Sequence, residues 1–230
     1  MTRLAILADI HGNLPALEAV LAVVDAEVIV VGGDAVAGPW PSETLERLRE
    51  LGERVRFIQG NADRELTSEL PGLAPSEAID FVRAQLTENQ IGFIGSWPLT
   101  ESLEVDGLGP VLFCHATPRS DDEILTRISA EERWRDALAG VEEPTVVCGH
   151  THVQFDRRIG GIRLVNSGSV GMPYEAEPGA YWTLLGPDVE LRRTAYEPGD
   201  IKATGWPAEW PTATPEAATE FFEGLSLGRA

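Results

Sequence analysis

The sequence predicts an α/β fold in which a parallel sheet is linked by crossover helices. Three observations carry that reading. In the first sixty residues, apolar stretches of strand length alternate with stretches of helical period, the rhythm of a βαβαβ unit. The second and third strand-like stretches end in glycine-led polar pairs, Gly33-Asp34 and Gly60-Asn61. The 230 residues, 43% hydrophobic and 24% charged, have the composition of one globular domain with a sizeable core.

The elements follow in order. Leu4 to Ala8 is an apolar strand. Asn13 is an N-cap candidate, and Pro15 falls in the first turn, where its missing N–H costs nothing. Leu17, Val20, Leu21 and Val24 then recur at helical spacing. Val28 to Val31 is a second strand. Ser42 can cap a helix bearing Leu45 and Leu48, with Gly52 as its stop. Val55 to Ile58 is a third strand, and a helix capped at Ser76 carries Ile79, Val82 and Leu86. Thr87 and Gln90 have the spacing of a capping box, and so do Ser129 and Glu132. Val111 to Cys114 and Thr145 to Cys148 are further apolar strands. Two hairpins follow, one turning at Gly160-Gly161 and the other at Gly186-Pro187-Asp188. A final helix spans about Glu216 to Leu225. Trp206, Trp210, Phe221 and Phe222 are too apolar for a free tail, so the segment from about 200 to 230 is expected to dock on a single domain of residues 1–230.

Charge narrows the partners. The formal net charge is −19, with Lys202 the single lysine among 18 basic residues. A field of that sign repels polyanions, which disfavours binding along a long nucleic acid and leaves small substrates. No run approaches the roughly 18 apolar residues that span a bilayer, and the N-terminal apolar run is broken at once by Asp9 and His11. The expected partner set is a small ligand without membrane, and the default compartment is the cytoplasm. Cys114 and Cys148 sit in apolar runs and read as buried strand residues.

The histidines carry the chemistry. His11, His115, His150 and His152 all follow ends of predicted strands, where parallel sheets build their sites. Asp9-Ile10-His11 and His150-Thr151-His152 each place two ligand-type side chains two residues apart, able to point the same way from extended chain. Singly, each piece has an ordinary reading: Asp9 as a cap or turn residue, Gly33-Asp34 and Gly60-Asn61 as turns, strand histidines as packed residues. Together, Asp9, His11, Asp34, Asn61, His115, His150 and His152 form too many ligands for one ion. They suit two divalent cations sharing a carboxylate, with mixed oxygen and nitrogen ligation pointing to Mn²⁺ first and to Fe or Zn as alternatives.

The succession Asp9-Ile10-His11-Gly12-Asn13, Gly33-Asp34, Gly60-Asn61-Ala62-Asp63, His115 and Gly149-His150-Thr151-His152 resembles the calcineurin-like metallophosphoesterase signature. Gly38-Pro39 and Asn166 with Gly168-Ser169-Val170-Gly171 resemble segments of its small bacterial phosphodiesterase-type members. The resemblance implies a four-layer α/β/β/α metallophosphoesterase sandwich with the metals at the C-terminal strand edges. It implies that Asp9, His11, Asp34 and His152 hold one ion, and that Asp34, Asn61, His115 and His150 hold the other. Asp34 would bridge them, and Asn13 would lie near the substrate phosphate. In such a site the ions stand about 3.5–4 Å apart and share a hydroxide that attacks phosphorus in line. Many members have a histidine after the motif asparagine to assist the leaving group; this chain has Ala62, with Asp63, that histidine's usual partner, retained. Ala62→His is therefore expected to restore part of that assistance.

The expected activity is hydrolysis of small phosphodiesters. A phosphomonoesterase or phosphoprotein phosphatase is one alternative, and a catalytically silent binding scaffold on the same fold is another. Arg119 and Arg127 follow His115 and could touch substrate or be solvated surface arginines, while Trp40 and Tyr174 flank motif blocks and could stack on substrate or serve packing.

Overall fold

Alternate residues of the first strand, β1 (Leu4–Leu7), face two different cores. Leu4 and Ile6 pack in a layer with Val111, Phe113, Val147 and Val165, while Ala5 and Leu7 pack with Leu17, Val20, Leu45 and Leu48. That alternation is the two-residue period of a strand buried on both faces, where each fully buried Leu or Ile contributes about 1.5–3 kcal/mol. The structure is a computed structural model and describes residues 2–68, 76–207 and 214–227.

Two five-stranded sheets make the layers. In the first, β2 (Val28–Val31) and β3 (Val55–Phe57) run parallel to β1, and a hairpin of β9 (Ala180–Leu185) and β10 (Val189–Thr194) adds antiparallel, giving the order β10-β9-β1-β2-β3. In the second, β5 (Gly109–Cys114), β6 (Thr145–Cys148) and β8 (Ile162–Asn166) run parallel. The edge strands β4 (Thr100–Val105) and β7 (Phe155–Ile159) pair antiparallel, giving β4-β5-β6-β8-β7. One core lies between the sheets. Another lies under α1 (Leu14–Leu21), α2 (Pro41–Arg49), α4 (Ser76–Gln85) and α5 (Glu88–Gly95). A third, containing Cys114, Trp134, Val146 and Cys148, lies under α6 (Glu131–Ala137). This is the α/β/β/α sandwich. Both cysteines are buried and unpaired, and burial pushes the Cys114 thiol up to about 12.

Several local expectations need correction. The second helix starts at Pro41 with Trp40 at the cap, because a proline at the first helical position already has helical φ; Ser42 lies inside the helix. Ser129 does not cap α6. Its Oγ accepts from the Thr126 N–H at 2.8 Å, and Ala130 takes the cap position. The Thr87–Gln90 box forms as expected. Two elements escaped the sequence reading: the acidic edge strand β4, and α3 (Asn61–Thr67), which begins on the motif asparagine itself.

Past β10, α7 (Pro215–Ser226) turns Ala218, Phe222 and Ser226 inward at helical spacing and leaves Phe221 59% exposed. The Ser226 and Thr126 hydroxyls meet at 3.0 Å, Arg133 donates to the Ser226 carbonyl, and Arg127 pairs with Glu223 at 2.9 Å. Trp206 packs edge-on to Phe81, whereas Trp210 lies outside the described residues. Among the described residues no helix is long and apolar enough to cross a membrane.

Candidate metal centre

The C-terminal ends of β1, β2, β3, β5 and β6 bring the seven candidate ligands to one edge of the sandwich. Asp9 and His11 follow β1, Asp34 follows β2, Asn61 follows β3, His115 follows β5, and His150 and His152 follow β6. Backbone bonds knit these ends together: the Asp9 N–H donates to Gly33, the His11 N–H to Asp34, and the Gly149 N–H to His115. The His150 N–H donates to Asp9 Oδ2 at 2.9 Å. Each of the seven side chains is buried.

The backbone around the site is strained. Among the described residues the non-glycine positions with positive φ are Asp9, His11, Asp34, His150 and His152, at 48–68°. Such conformations cost of order 1–3 kcal/mol each and persist where surrounding structure imposes them, which is characteristic of functional sites. Neighbouring glycines make the crowding possible. A Cβ on Gly60 would stand 2.2 Å from Asp34 Oδ1, and one on Gly149 would stand 2.4 Å from Asp9 Oδ2. Gly149→Ala is expected to destabilise the protein by about 1–3 kcal/mol. It should also reduce the rise in melting temperature on adding Mn²⁺, read by paired melts with and without the ion; an unchanged pair of melts would contradict the packing argument.

Side-chain geometry fits cation ligation. His11, His115 and His152 each place Nδ1 against a backbone carbonyl, of Ala37, Gly32 and Met172, at 3.2, 2.8 and 2.7 Å. A carbonyl only accepts, so Nδ1 carries the hydrogen and Nε2 faces the centre, the orientation that metal-ligating histidines use. His11 Nε2 and His152 Nε2 lie 3.2 Å apart, with Asp9 Oδ1 at 3.9 and 3.1 Å from them. Asp34 Oδ2 is 3.5 Å from His115 Nε2, which also lies 3.2 Å from Asn61 Oδ1. Two groups could each hold an ion: Asp9, His11 and His152, and Asp9, Asp34 and His115. His150 stands outside both triads, its ring 5.1 Å from that of His115 and its buried Nε2 without a hydrogen-bond partner. Asp9 Oδ1 is likewise buried without one. Orphaned buried acceptors facing a cluster of ligand atoms are what a cation would satisfy.

The electrostatics agree. Burial raises the Asp9 and Asp34 carboxyls, but nearby imidazoles outweigh it and hold both below the ordinary range. Burial lowers His115, yet Asp34 and Asp9 overcome it and push that imidazole up to about 10. Burial and then His115 push His150 down to about 4. The paired carboxylates thus demand positive charge between them.

The remaining expected site residues are engaged elsewhere. Asn13 Oδ1 caps α1 by accepting from Ala16 at 3.2 Å, while its Nδ2 donates to Gly171 O at 2.8 Å and to Tyr196 Oη at 2.9 Å. Pro15 lacks an N–H and Asn13 Oδ1 occupies the Ala16 N–H, so this end of α1 has fewer free N–H groups to offer an anion. Asp63 is fully buried behind Asp34; its oxygens accept from the Asp34, Ala35 and Gly60 N–H groups at 2.7, 3.0 and 3.0 Å. Burial, then Asp34, push it up to about 7. It braces the loop that presents Asp34 and Asn61. Arg119 pairs with Glu123 and Arg127 with Glu223. Trp40 packs against Gly199, whereas Tyr174 stacks on His152 at 4.6 Å. Sequence reasoning gave no role to Asn166 and Ser169 individually. Asn166 holds Gly149 O at 2.6 Å and Ser169 holds Asp9 O at 2.7 Å, and the polar Asn166-to-Ser169 segment directly after a strand was the available signal.

Residues 2–185 match the family model of the calcineurin-like phosphoesterase superfamily domain. The chain belongs to that superfamily. The site described above is this member's candidate centre. Phosphodiesterase YfcE of Escherichia coli (strain K12) is 28% identical over 199 residues, covering 80% of this chain and 88% of its own. A symmetrical bis(5'-nucleosyl)-tetraphosphatase of Klebsiella pneumoniae (strain 342) is 29% identical over 142 residues, 58% of this chain and 49% of that protein. A metallophosphoesterase of Sphaerobacter thermophilus, known as a crystal structure, superposes with a TM-score of 0.72 at 26% identity, covering 96% of this calcineurin-like phosphoesterase and 98% of the other chain.

Proposed function

We propose that this calcineurin-like phosphoesterase is a dinuclear-metal phosphodiesterase acting on small phosphodiesters, with Mn²⁺ the working ion and Fe or Zn as substitutes. The observation that carries the proposal is the coincidence of strain and chemistry: the five strained non-glycine residues are five of the seven candidate ligands, Asp9, His11, Asp34, His150 and His152. Asn61 and His115 complete the set. The proposed protein is one domain with its C-terminal segment docked upon it, working in the cytoplasm.

Bound divalent ions supply Lewis-acid polarisation of the phosphoryl oxygens and an activated nucleophilic water. The chain does the rest. Asp9 and Asp34, held ionised by the imidazoles, define where positive charge sits. The Nδ1–H bonds of His11, His115 and His152 fix the ring orientations, so the centre is organised before substrate arrives. Asp63 and Asn166 brace the loops behind it.

A second reading, hydrolysis of a nucleoside polyphosphate, is favoured by the tetraphosphatase relatives and opposed by the net charge of −19. The experiment is a panel of aryl phosphodiesters, phosphomonoesters, cyclic nucleotides and dinucleoside polyphosphates, assayed with Mn²⁺, after chelation, and after Mn²⁺ is restored. Aryl phosphodiesters should be cleaved fastest, with activity lost on chelation and regained with the ion. Undiminished hydrolysis in chelator would refute the metal assignment, and a preference for polyphosphates would establish the second reading.

A further inference from the structure

Asn61 is the one amide among the seven candidate ligands, and an amide can present either of two ends. With Oδ1 toward the centre it can ligate a cation. Turned by half a rotation, it presents two N–H groups that repel one. The backbone does not choose between these states. The first turn of α3 is fixed by the Ala62 N–H on Asp34 Oδ1 and the Gly60 N–H on Asp63, and both bonds hold with the amide either way round.

Glu65 makes the choice. It follows Asn61 by one turn on the same face of α3 and is only 3% exposed. Its Oε1 accepts from Asn61 Nδ2 at 3.4 Å, while Asn61 Oδ1 lies 3.2 Å from His115 Nε2, the ring atom that faces the centre. A carboxylate only accepts, so the reversed amide would set oxygen against oxygen. The turn that carries Glu65 is itself held. Arg83 of α4 donates to the Glu65 and Leu66 carbonyls at 2.7 and 3.0 Å, and Arg64 pairs with Asp121 at 2.6 Å. Carboxylates are seldom buried so deeply unless a specific partner uses them.

We infer that Glu65 is a positioning residue for the candidate metal centre: it takes the Asn61 amide hydrogen and so aims Asn61 Oδ1 at an ion. The inference deepens the dinuclear reading and rests on it. The test is calorimetric titration of chelator-stripped protein with Mn²⁺ alone. Glu65→Leu, which accepts nothing, should bind manganese about tenfold more weakly, the lower end of what partners of metal ligands contribute. Glu65→Gln keeps an acceptor oxygen and should stay close to the parent. In an Asn61→Asp background both outer atoms are oxygens and orientation no longer matters, so there Glu65→Leu should cost no manganese affinity.

Parent-like binding by Glu65→Leu overturns the inference. So does an equal loss in Glu65→Gln, which would make the effect one of charge, or an equal loss in the Asn61→Asp background, which would make Glu65 part of the scaffold. A nuclear magnetic resonance measurement in chelator needs no change at Glu65 and serves even where Glu65→Leu fails to fold. The Asn61 side-chain amide, assigned by its loss in Asn61→Asp, should show one proton shifted downfield by its bond to a carboxylate. A signal at the position of a free amide overturns the inference. If the parent binds no manganese, the dinuclear reading fails, and the amide signal still decides whether Glu65 holds Asn61.

Discussion

Asp34→Asn is expected to reduce phosphodiester hydrolysis by more than about a hundredfold. Changes around metal ligands already cost about 10–100-fold, and Asp34 is proposed as a direct ligand shared between two ions. Fold loss is not the expected cause. Asparagine keeps an Oδ1 to accept the Ala62 N–H, a bond of 2.8 Å in the native protein. What it removes is the second oxygen, 3.5 Å from His115, and the negative charge that with Asp9 makes the centre attractive to cations. The two effects separate in melting experiments. An ion at a hundred times its Kd stabilises a protein by about 2.7 kcal/mol per site. In a domain of this size each kcal/mol moves the melting temperature by about 2–4 °C. The parent should therefore show a clear rise with Mn²⁺. Asp34→Asn should melt near the parent in chelator and lose most of that rise. Asp9→Asn should behave alike, because Asp9 belongs to both candidate triads. Parent-like turnover in either variant would defeat the dinuclear assignment.

The rate of the parent enzyme should fall steeply as the leaving alcohol becomes more basic. Negative charge grows on the departing oxygen in phosphoryl transfer, and a positioned general acid is typically worth about 10²–10⁴-fold, roughly 3–5 kcal/mol of barrier. This chain has no histidine to spare, since His11, His115, His150 and His152 all face the candidate centre. Asp63 does not fill the gap, because it is fully buried and both its oxygens already hold backbone N–H groups. The same fact changes what Ala62→His should do. Ala62 is only 2% exposed, and the carboxylate that would orient a new imidazole is already engaged, so the substitution should rescue poor leaving groups little. The measurement is a series of phosphodiesters from nitrophenol to simple alcohols on both proteins, with metal content checked. A flat series in the parent would reveal an acid elsewhere, and a hundredfold rescue of alkyl esters by Ala62→His would show that Asp63 can change partners.

Much of the framework was legible because it rests on local rules. β1 and β2 and the hairpins at Gly160-Gly161 and Gly186-Pro187-Asp188 follow from short-range pattern and turn chemistry. β4 was missed because its Thr100–Val105 segment carries two glutamates and pairs at a sheet edge, where one face meets water. α3 was missed because its first turn is also the Asn61 motif, and its start is fixed by contacts with Asp34 and Asp63. Phe221 and Phe222 are alike in sequence; only the phase of α7 on the body sends one to solvent and the other to His150.

The sequence by itself determined which side chains could ligate and that they end successive strands, because a parallel sheet delivers its C-terminal ends to one edge whatever the details of packing. Only the tertiary structure decided what each does there. The left-handed backbone at Asp9, His11, Asp34, His150 and His152 depends on bonds between residues distant in the chain, such as His150 to Asp9. The hydrogen bonds that Asn13 makes to Gly171 and Asp63 makes to Asp34 depend on which N–H and carbonyl groups came within reach. The arrival of Phe222 at the centre depends on a helix beyond the family domain packing back across it. Local propensity carries no record of such contacts, since partners such as Asp9 and His150, 141 residues apart, become neighbours only when both sheets have assembled.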